Sequence, residues 1–427
     1  MKLEFVNHAS LIVSYKDIQL MMDPWFEGLA FDKGWSLLSK SKFEIKDFER
    51  ITHIWFSHEH PDHFSPPILA KIPAEIKSKI TIIYHTTQDK KIVNFCLKQG
   101  FKEVVELQEN EEYVLKDDFK IISNEHTGGD SWCYLSTNEF GLLNINDCVI
   151  RTKEEAQEVQ DKVGKVDVLL TQFGYAHKIG NEKDQQLRID AMEEKKTRIE
   201  NQSLVFKPSF IIPFASFVFF SHEENKYMNL SNFMIDQMAD LIKNKLGKKD
   251  IVMYPGDIWN VGDSSWDSTL SIEKYNSDFE AVSDFEFVKT VFVPEVELLK
   301  SAIQYGQKLV RKNPTSKHLL SKIGTTIFIS DYSKTYKFIG EKGIVEIQKP
   351  SNECDVILSS EALQYSFKNE WGAGTCHVNA RYLNTEKGDI YKFHLLMNIG
   401  NLNNEGKEYI WEKPSFINRI MHKLKLS

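Results

Sequence analysis

Directly after the apolar run ITHIWF (51–56) the chain reads SHEHPDHF, so that His58, His60, Asp62 and His63 form an HxHxDH pattern. Imidazole and carboxylate are the ligands that borderline divalent metals prefer. In a loop at a strand end, side chains at i and i+2 converge on one point while the Asp-His pair turns toward a second. The competing reading is a solvated polar loop. A metal site needs further ligands, and three more candidates stand where predicted strands end. His126 follows FKIIS and precedes the loop Thr127-Gly128-Gly129, Asp147 closes GLLNIN, and His222 closes FVFFS. Each alone reads as a structural residue. Together they occupy the carboxyl ends of strands, where α/β sheets place their binding loops.

The elements that must position these residues are short strands separated by turns. LEFVNHASLIVS (3–14) and IQLMM (18–22) flank Tyr15-Lys16-Asp17, a hairpin turn, and Asp23-Pro24 stops the second strand because proline cannot donate to a ladder. Strands are expected at 51–56, 80–85, 104–107, 119–123, 132–136, 141–146 and 166–173, with helices over 88–99 and from Thr152 to Gly164. A charged helix is predicted over 188–204, with Arg188, Lys195, Lys196 and Arg198 read as a solvated face rather than a phosphate-attracting one. SFIIPFASFVFF (209–220) reads as one buried strand, and 260–285 as a long surface loop or linker. Helix and strand patterns resume from residue 294. This order indicates layered α/β, with a domain over 1–285 and a smaller α+β unit over 286–427.

Bulk composition narrows the function class. A net charge of -8 gives no electrostatic support to nucleic-acid binding, which wants a basic face. No window approaches the ~18 consecutive apolar residues of a membrane span, and MKLEFVNHAS has no apolar signal core. The five cysteines are scattered and form no CxxC knuckle, so a reduced, cytoplasmic setting is expected.

With Asp23, His58-x-His60-x-Asp62-His63, His126, Asp147 and His222 in this order, the chain resembles the metallo-β-lactamase-fold superfamily over about residues 1–260. The resemblance implies a four-layer αββα sandwich. It further implies a first metal held by His58, His60 and His126, a second held by Asp62, His63 and His222, and a bridging Asp147. Asp23 would structure the loop beneath the site without binding metal. The stretch DPWFEGLAF (23–31), continuing to Gly34-Trp35, and the contexts of Asp147-Cys148 and Pro213-Phe214-Ala215 are similar to the metallo-β-lactamase-like domain of CMP-N-acetylneuraminate hydroxylases. The ascorbate-phosphate lactonase and N-acyl-phosphatidylethanolamine phospholipase D branches are more distant matches. The hydroxylases also carry a Rieske domain, whose cluster needs two cysteines and two histidines. No CxH…CxxH occurs here, so self-contained Rieske-dependent hydroxylation is not expected.

Five imidazoles and two carboxylates around two divalent ions leave a formal excess of about +2, suited to an anionic substrate. Zinc is the expected metal, with iron or manganese as alternatives. A bound water acidified to a pKa of ~7 would be the nucleophile of a dinuclear hydrolase acting on a phosphorylated sugar, nucleotide sugar or related ester, amide or lactone. Asp62 or Asp147 would relay the proton, and His177 in QFGYAHK would donate to the substrate or act as an acid. Trp25, Trp35, Tyr175 and Trp259 are substrate-contact candidates, though packing is the expected role of Trp25 and Trp35. Two other functions stay open: an iron-containing component working with a separate Rieske or ferredoxin-type protein, and a non-catalytic metal-stabilised binding protein; a homo-oligomer is an open expectation under every reading. Cys376 and His377 are read as structural, and the basic tail PSFINRIMHKLKLS (414–427) as a packed terminal helix.

Overall fold

The computed structural model describes residues 1–126, 129–175, 177–231, 234–404 and 406–410. The basic tail 414–427 and the loop residues Thr127 and Gly128 lie outside the described residues. The chain forms two compact units that divide between Val288 and Lys289.

In chain order the strands of the first unit are β1 (Lys2–Asn7), β2 (Ser10–Tyr15), β3 (Ile18–Met22), β4 (Leu29–Ala30), β5 (Trp35–Leu37), β6 (His53–Trp55), β7 (Thr81–His85), β8 (Glu103–Leu107) and β9 (Glu112–Lys116). They continue with β10 (Phe119–Glu125), β11 (Ser131–Ser136), β12 (Gly141–Asn144), β13 (Val168–Gln172), β14 (Phe210–Phe214), β15 (Val218–Phe220), β16 (Lys249–Asp250) and β17 (Ile258–Asn260). One seven-stranded sheet runs β17-β1-β2-β3-β6-β7-β8 and a second runs β16-β14-β13-β12-β11-β10-β9. Each is antiparallel in one half and parallel in the other: β3-β6-β7-β8 in the first, β12-β13-β14-β16 in the second. A shared core joins the two sheets, with Leu11, Leu20, Met22, Trp55 and Ile83 from one and Ile121, Leu135, Leu143, Leu169 and Ile211 from the other. Trp55 Nε1 donates across it to Ser123 Oγ at 2.9 Å. Helices on the outer faces, among them Lys91–Lys98, Lys153–Gln160 and Gln185–Phe206, complete an αββα sandwich. Parallel strands need crossover connections, and these helices are those crossovers.

Three expectations change. Residues 3–14 are not one strand: β1 and β2 form a hairpin around His8-Ala9, with His8 at φ 40° and a register slip between Phe5 and Asn7. No glycine or proline marks this turn, so periodicity alone ran through it. Residues 209–220 split at Ala215, φ 46°, into β14 in the second large sheet and β15, which pairs with β5 in a three-stranded sheet with β4. Half of the stretch 260–285 is the helix Thr269–Ala281 rather than loop, and Tyr275 on it is wholly buried against Phe217.

The second unit has a five-stranded sheet built from Thr326–Ile329, Lys334–Phe338, Ile344–Ile347, Val356–Leu358 and Leu383–Asn384. The helices Glu295–Lys312, Ser360–Lys368 and Ile390–Asn404 contribute Leu298, Leu309, Leu363 and Leu396 to its own core. Cys376 is buried, and His377 Nδ1 lies 3.1 Å from the Tyr382 hydroxyl. All five cysteines are buried thiols without disulfides. Among the described residues no helix is long and apolar enough to cross a membrane.

Candidate metal centre

The parallel strands set the position of the site. β3, β6, β7, β12, β13 and β14 end on one edge of the sandwich, and the loops leaving β3, β6 and β12 carry Asp23, SHEHPDHF and Asp147. The wholly buried Asp23 is the hub beneath them. Its Oδ1 accepts from Ser57 N at 2.8 Å, and its Oδ2 accepts from Ser57 Oγ at 2.7 Å and Asn146 Nδ2 at 2.6 Å. His63 Nδ1 lies 3.0 Å from the same Oδ2. An ionised carboxylate only accepts, so Nδ1 carries the proton there and the opposite nitrogen, Nε2, faces inward. His8, Asp23, Asn146 and Ala215 all take positive φ although none is glycine. Such backbone costs of order 1–3 kcal/mol per residue and persists where the surroundings over-determine it.

His63 Nε2 points at carboxylates: Asp62 Oδ2 at 3.3 Å and Asp147 Oδ2 at 3.4 Å. His8 Nε2, on the β1–β2 turn, reaches Asp62 Oδ2 at 3.2 Å. His58 Nδ1 lies 2.9 Å from Ser57 Oγ, whose own proton goes to Asp23, so His58 donates there and its Nε2 accepts from His60 Nδ1 at 2.8 Å. His58 Nε2 is also 3.7 Å from Asp130 Oδ1. Ligand atoms within 4.8 Å of one another group as His58, His60 and Asp130, as His58, His63 and Asp147, and as His8, Asp62 and His63. Because the groups share His58 and His63, they form one patch.

Its electrostatics are those of a site made for cations. Burial, reinforced by His63 and His60, holds the His58 pKa well below the usual imidazole value, so its ring is neutral and able to ligate. Burial also opposes charge on His63, but Asp62, Asp147 and Asp23 outweigh it and raise that pKa well above the usual value. Asp62 is lowered well below the carboxylate range, burial being overcome by His63 and His8. Asp130 is pushed up to about 8 by burial and by the neighbouring Asp147. Among the described residues, Asp62 Oδ1, His63 Nε2 and His8 Nδ1 are buried without a hydrogen-bond partner. Buried polar atoms are normally satisfied, and orphans on the ligand-type side chains of one group, His8, Asp62 and His63, fit a divalent cation. The patch can coordinate one or two metal ions.

The structure brings together His58, His60, Asp62, His63 and Asp147 from the predicted set and adds His8 and Asp130. His126 and His222 are not in the three groups. His126 Nε2 lies 3.2 Å from the Val149 carbonyl, and His222, fully buried, accepts from Glu224 N through Nδ1 at 3.3 Å. His8 was missed because it sits inside an apparently continuous strand. Asp130 was missed because the Gly-rich loop hid its return to the site, where its carbonyl accepts from His126 N at 2.6 Å. His177 is exposed on the loop after β13. The aromatic candidates are buried: Trp25 edge-on to His8, Trp35 against Phe31 and Phe220, Tyr175 donating to the Met228 carbonyl, and Trp259 donating to the Asp263 carbonyl at 2.9 Å. The helix Gln185–Phe206 is not uniformly solvated: Arg188 is wholly buried and donates to the carbonyls of Ile179, Asn181 and Glu182.

No family model matches the chain. It is 25% identical over 281 residues to cytidine monophosphate-N-acetylneuraminic acid hydroxylase of Xenopus laevis, covering 60% of this chain and 45% of that protein. It is 23% identical over 299 residues to the inactive Homo sapiens counterpart, covering 63% and 56%. The chain thus spans about half the length of the curated relatives it matches. Among solved structures, CmlA, a diiron beta-hydroxylase from Streptomyces venezuelae, aligns with a TM-score of 0.43 at 14% identity, over 61% of this chain and 54% of that one. The paired mixed sheets, the flanking helices and the histidine–aspartate loops at the strand ends have the αββα arrangement of the metallo-β-lactamase fold, and the sequence is weakly similar to the CMP-N-acetylneuraminate hydroxylases.

Proposed function

We propose that the protein is a dinuclear metal-dependent hydrolase of an anionic small molecule: an ester, amide or lactone of the phosphorylated-sugar or nucleotide-sugar class. The observation that carries this is the merging of three ligand groups on shared His58 and His63, with Asp23 fixing the His63 ring from behind. His58, His60 and Asp130 would hold one ion and His8, Asp62 and His63 the other, with Asp147 between them; His126 and His222 are the further ligands that the family resemblance supplies. Bound divalent ions supply Lewis acidity and acidify water at neutral pH. Asp23 and Ser57 hold the imidazoles in the ligating tautomers, and Asp62 or Asp147 accepts a proton at a carboxylate oxygen. Four neutral imidazoles and three carboxylates around two divalent ions leave a formal excess of about +1, which favours an anion. His177, on the loop after β13, is a candidate donor to the substrate, and zinc is the metal this donor set favours.

A second reading, an iron-containing component served by a separate redox protein, draws on the alignment to proteins named as hydroxylases. Elemental analysis of protein purified without added metal, followed by assay against phosphoesters, lactones and amides, separates the two. Two equivalents of zinc or manganese with turnover of one class support hydrolysis. Iron with an oxidised-state absorption and no turnover overturns it.

A further inference from the structure

Gln172 closes β13 beside Asp147, because β12 and β13 run parallel with Asn144 paired to Leu170. Its Nε2 donates to Asp147 Oδ1 at 2.9 Å, while its Oε1 accepts from Lys195 Nζ on the helix Gln185–Phe206. Lys195 Nζ donates in this pair, so the amide oxygen is turned toward the lysine and the NH2 group toward Asp147, whose carboxylate only accepts. An amide that could otherwise flip is thereby set in one orientation. With Oδ1 engaged, Asp147 offers Oδ2 to the site, 3.4 Å from His63 Nε2.

The helix is clamped over the same strand ends two turns further on. Gln202 accepts from Thr171 Oγ1 at 2.8 Å and donates to the Ile150 carbonyl at 3.0 Å. Seven residues apart, Lys195 and Gln202 share one helix face, and Ile199 between them is wholly buried. The helix therefore fixes both the end of β13 and the loop that carries Asp147. Placing an amine and an amide here costs desolvation that an apolar pair would avoid, so packing alone does not account for the chain of donors.

We infer that Gln172, oriented by Lys195, is a positioning residue that holds Asp147 Oδ1 and so presents a single carboxylate oxygen, Oδ2, to the metal centre. This rests on the metal-centre reading above and names the device that sets its bridging ligand.

Zinc titration against a chromophoric chelator, with melting temperatures recorded alongside, tests it. The unmodified chain should take two equivalents. Gln172→Met should weaken one equivalent by about 10–100-fold, the usual effect of losing a partner behind a ligand, with the melting temperature of the metal-free protein little changed. Lys195→Met should weaken the same equivalent, and the double variant should lose no more than the larger single loss, because both act through Asp147. Lys195→Arg, which keeps a donor, should recover part of the affinity. Wild-type zinc affinity in Gln172→Met, or additive losses in the double variant, would overturn the inference while leaving the metal centre standing. Should Gln172→Met fail to fold, Lys195→Met with its Arg counterpart decides the matter alone. An unmodified chain that binds no zinc overturns the metal-centre reading and this inference with it.

Discussion

At the scale of single residues, the centre is a contest between burial and mutual charge. Asp23 shows the favourable side: four donors converge on one buried carboxylate, which fixes Ser57, Asn146 and His63 at once. Asp130 shows the costly side, with burial and Asp147 raising its pKa to about 8 from an ordinary 3.8. The sign follows from linkage: between about pH 4 and 8 the metal-free fold keeps a proton that the unfolded chain has released, so Asp130's contribution to stability is lost as pH rises through about 8. A metal ion needs the ionised carboxylate, so its affinity should rise over the same window. Denaturation of metal-stripped protein should give a lower midpoint at pH 8 than at pH 5, and Asp130→Asn should flatten that difference. An unchanged slope in the variant would remove Asp130 from this account.

At the scale of elements, the long helix Gln185–Phe206 has one face that its sequence conceals. Read by charge it is a solvated helix, and four of its cations suggest as much. Arg188 nevertheless lies fully buried, its guanidinium beside the Tyr227 ring and bonded to three carbonyls of the loop after β13. A guanidinium can replace solvent for several carbonyls at once, so it organises a loop that has no ladder of its own. Arg188→Met should destabilise the protein by about 2–4 kcal/mol, as expected when charged hydrogen bonds are lost inside a packed segment. Urea denaturation measures this, and a change below ~0.5 kcal/mol would show that the loop holds without it.

At the scale of the whole molecule, two of the buried apolar cores have no member in common. One draws on residues between Leu3 and Val282, the other on residues between Val293 and Ile399. We propose a domain boundary near residue 286, and the ligand groups all belong to the first compact unit. A fragment of residues 1–288 retains the bridge between His222 and Val288. It should unfold in one cooperative transition and bind the same number of metal ions as the full chain. Circular dichroism and elemental analysis check both points; a molten fragment would mean that the second unit is needed for the first to fold.

How far the site could be read from sequence follows from what each residue's type encodes. HxHxDH is legible because the ligands are adjacent in the chain and their chemistry is unusual for a loop. Asp147 is legible because it closes an apolar run, and Asp23 because proline follows it. His8 and Ala215 are not, since each sits in an unbroken apolar pattern and turns by adopting positive φ with no glycine to announce it. The helix Thr269–Ala281 is likewise hidden, its polar composition matching a loop until Tyr275 finds Phe217. The sequence by itself determined the layered α/β class, the metal-ligating chemistry and the strand ends that bear it, because periodicity and side-chain type are local properties. Only the tertiary structure decided that His8 and Asp130 join the patch and that Gln172 and Lys195 stand behind Asp147. Those contacts join residues tens of positions apart, through the parallel register of sheets that local patterning does not specify.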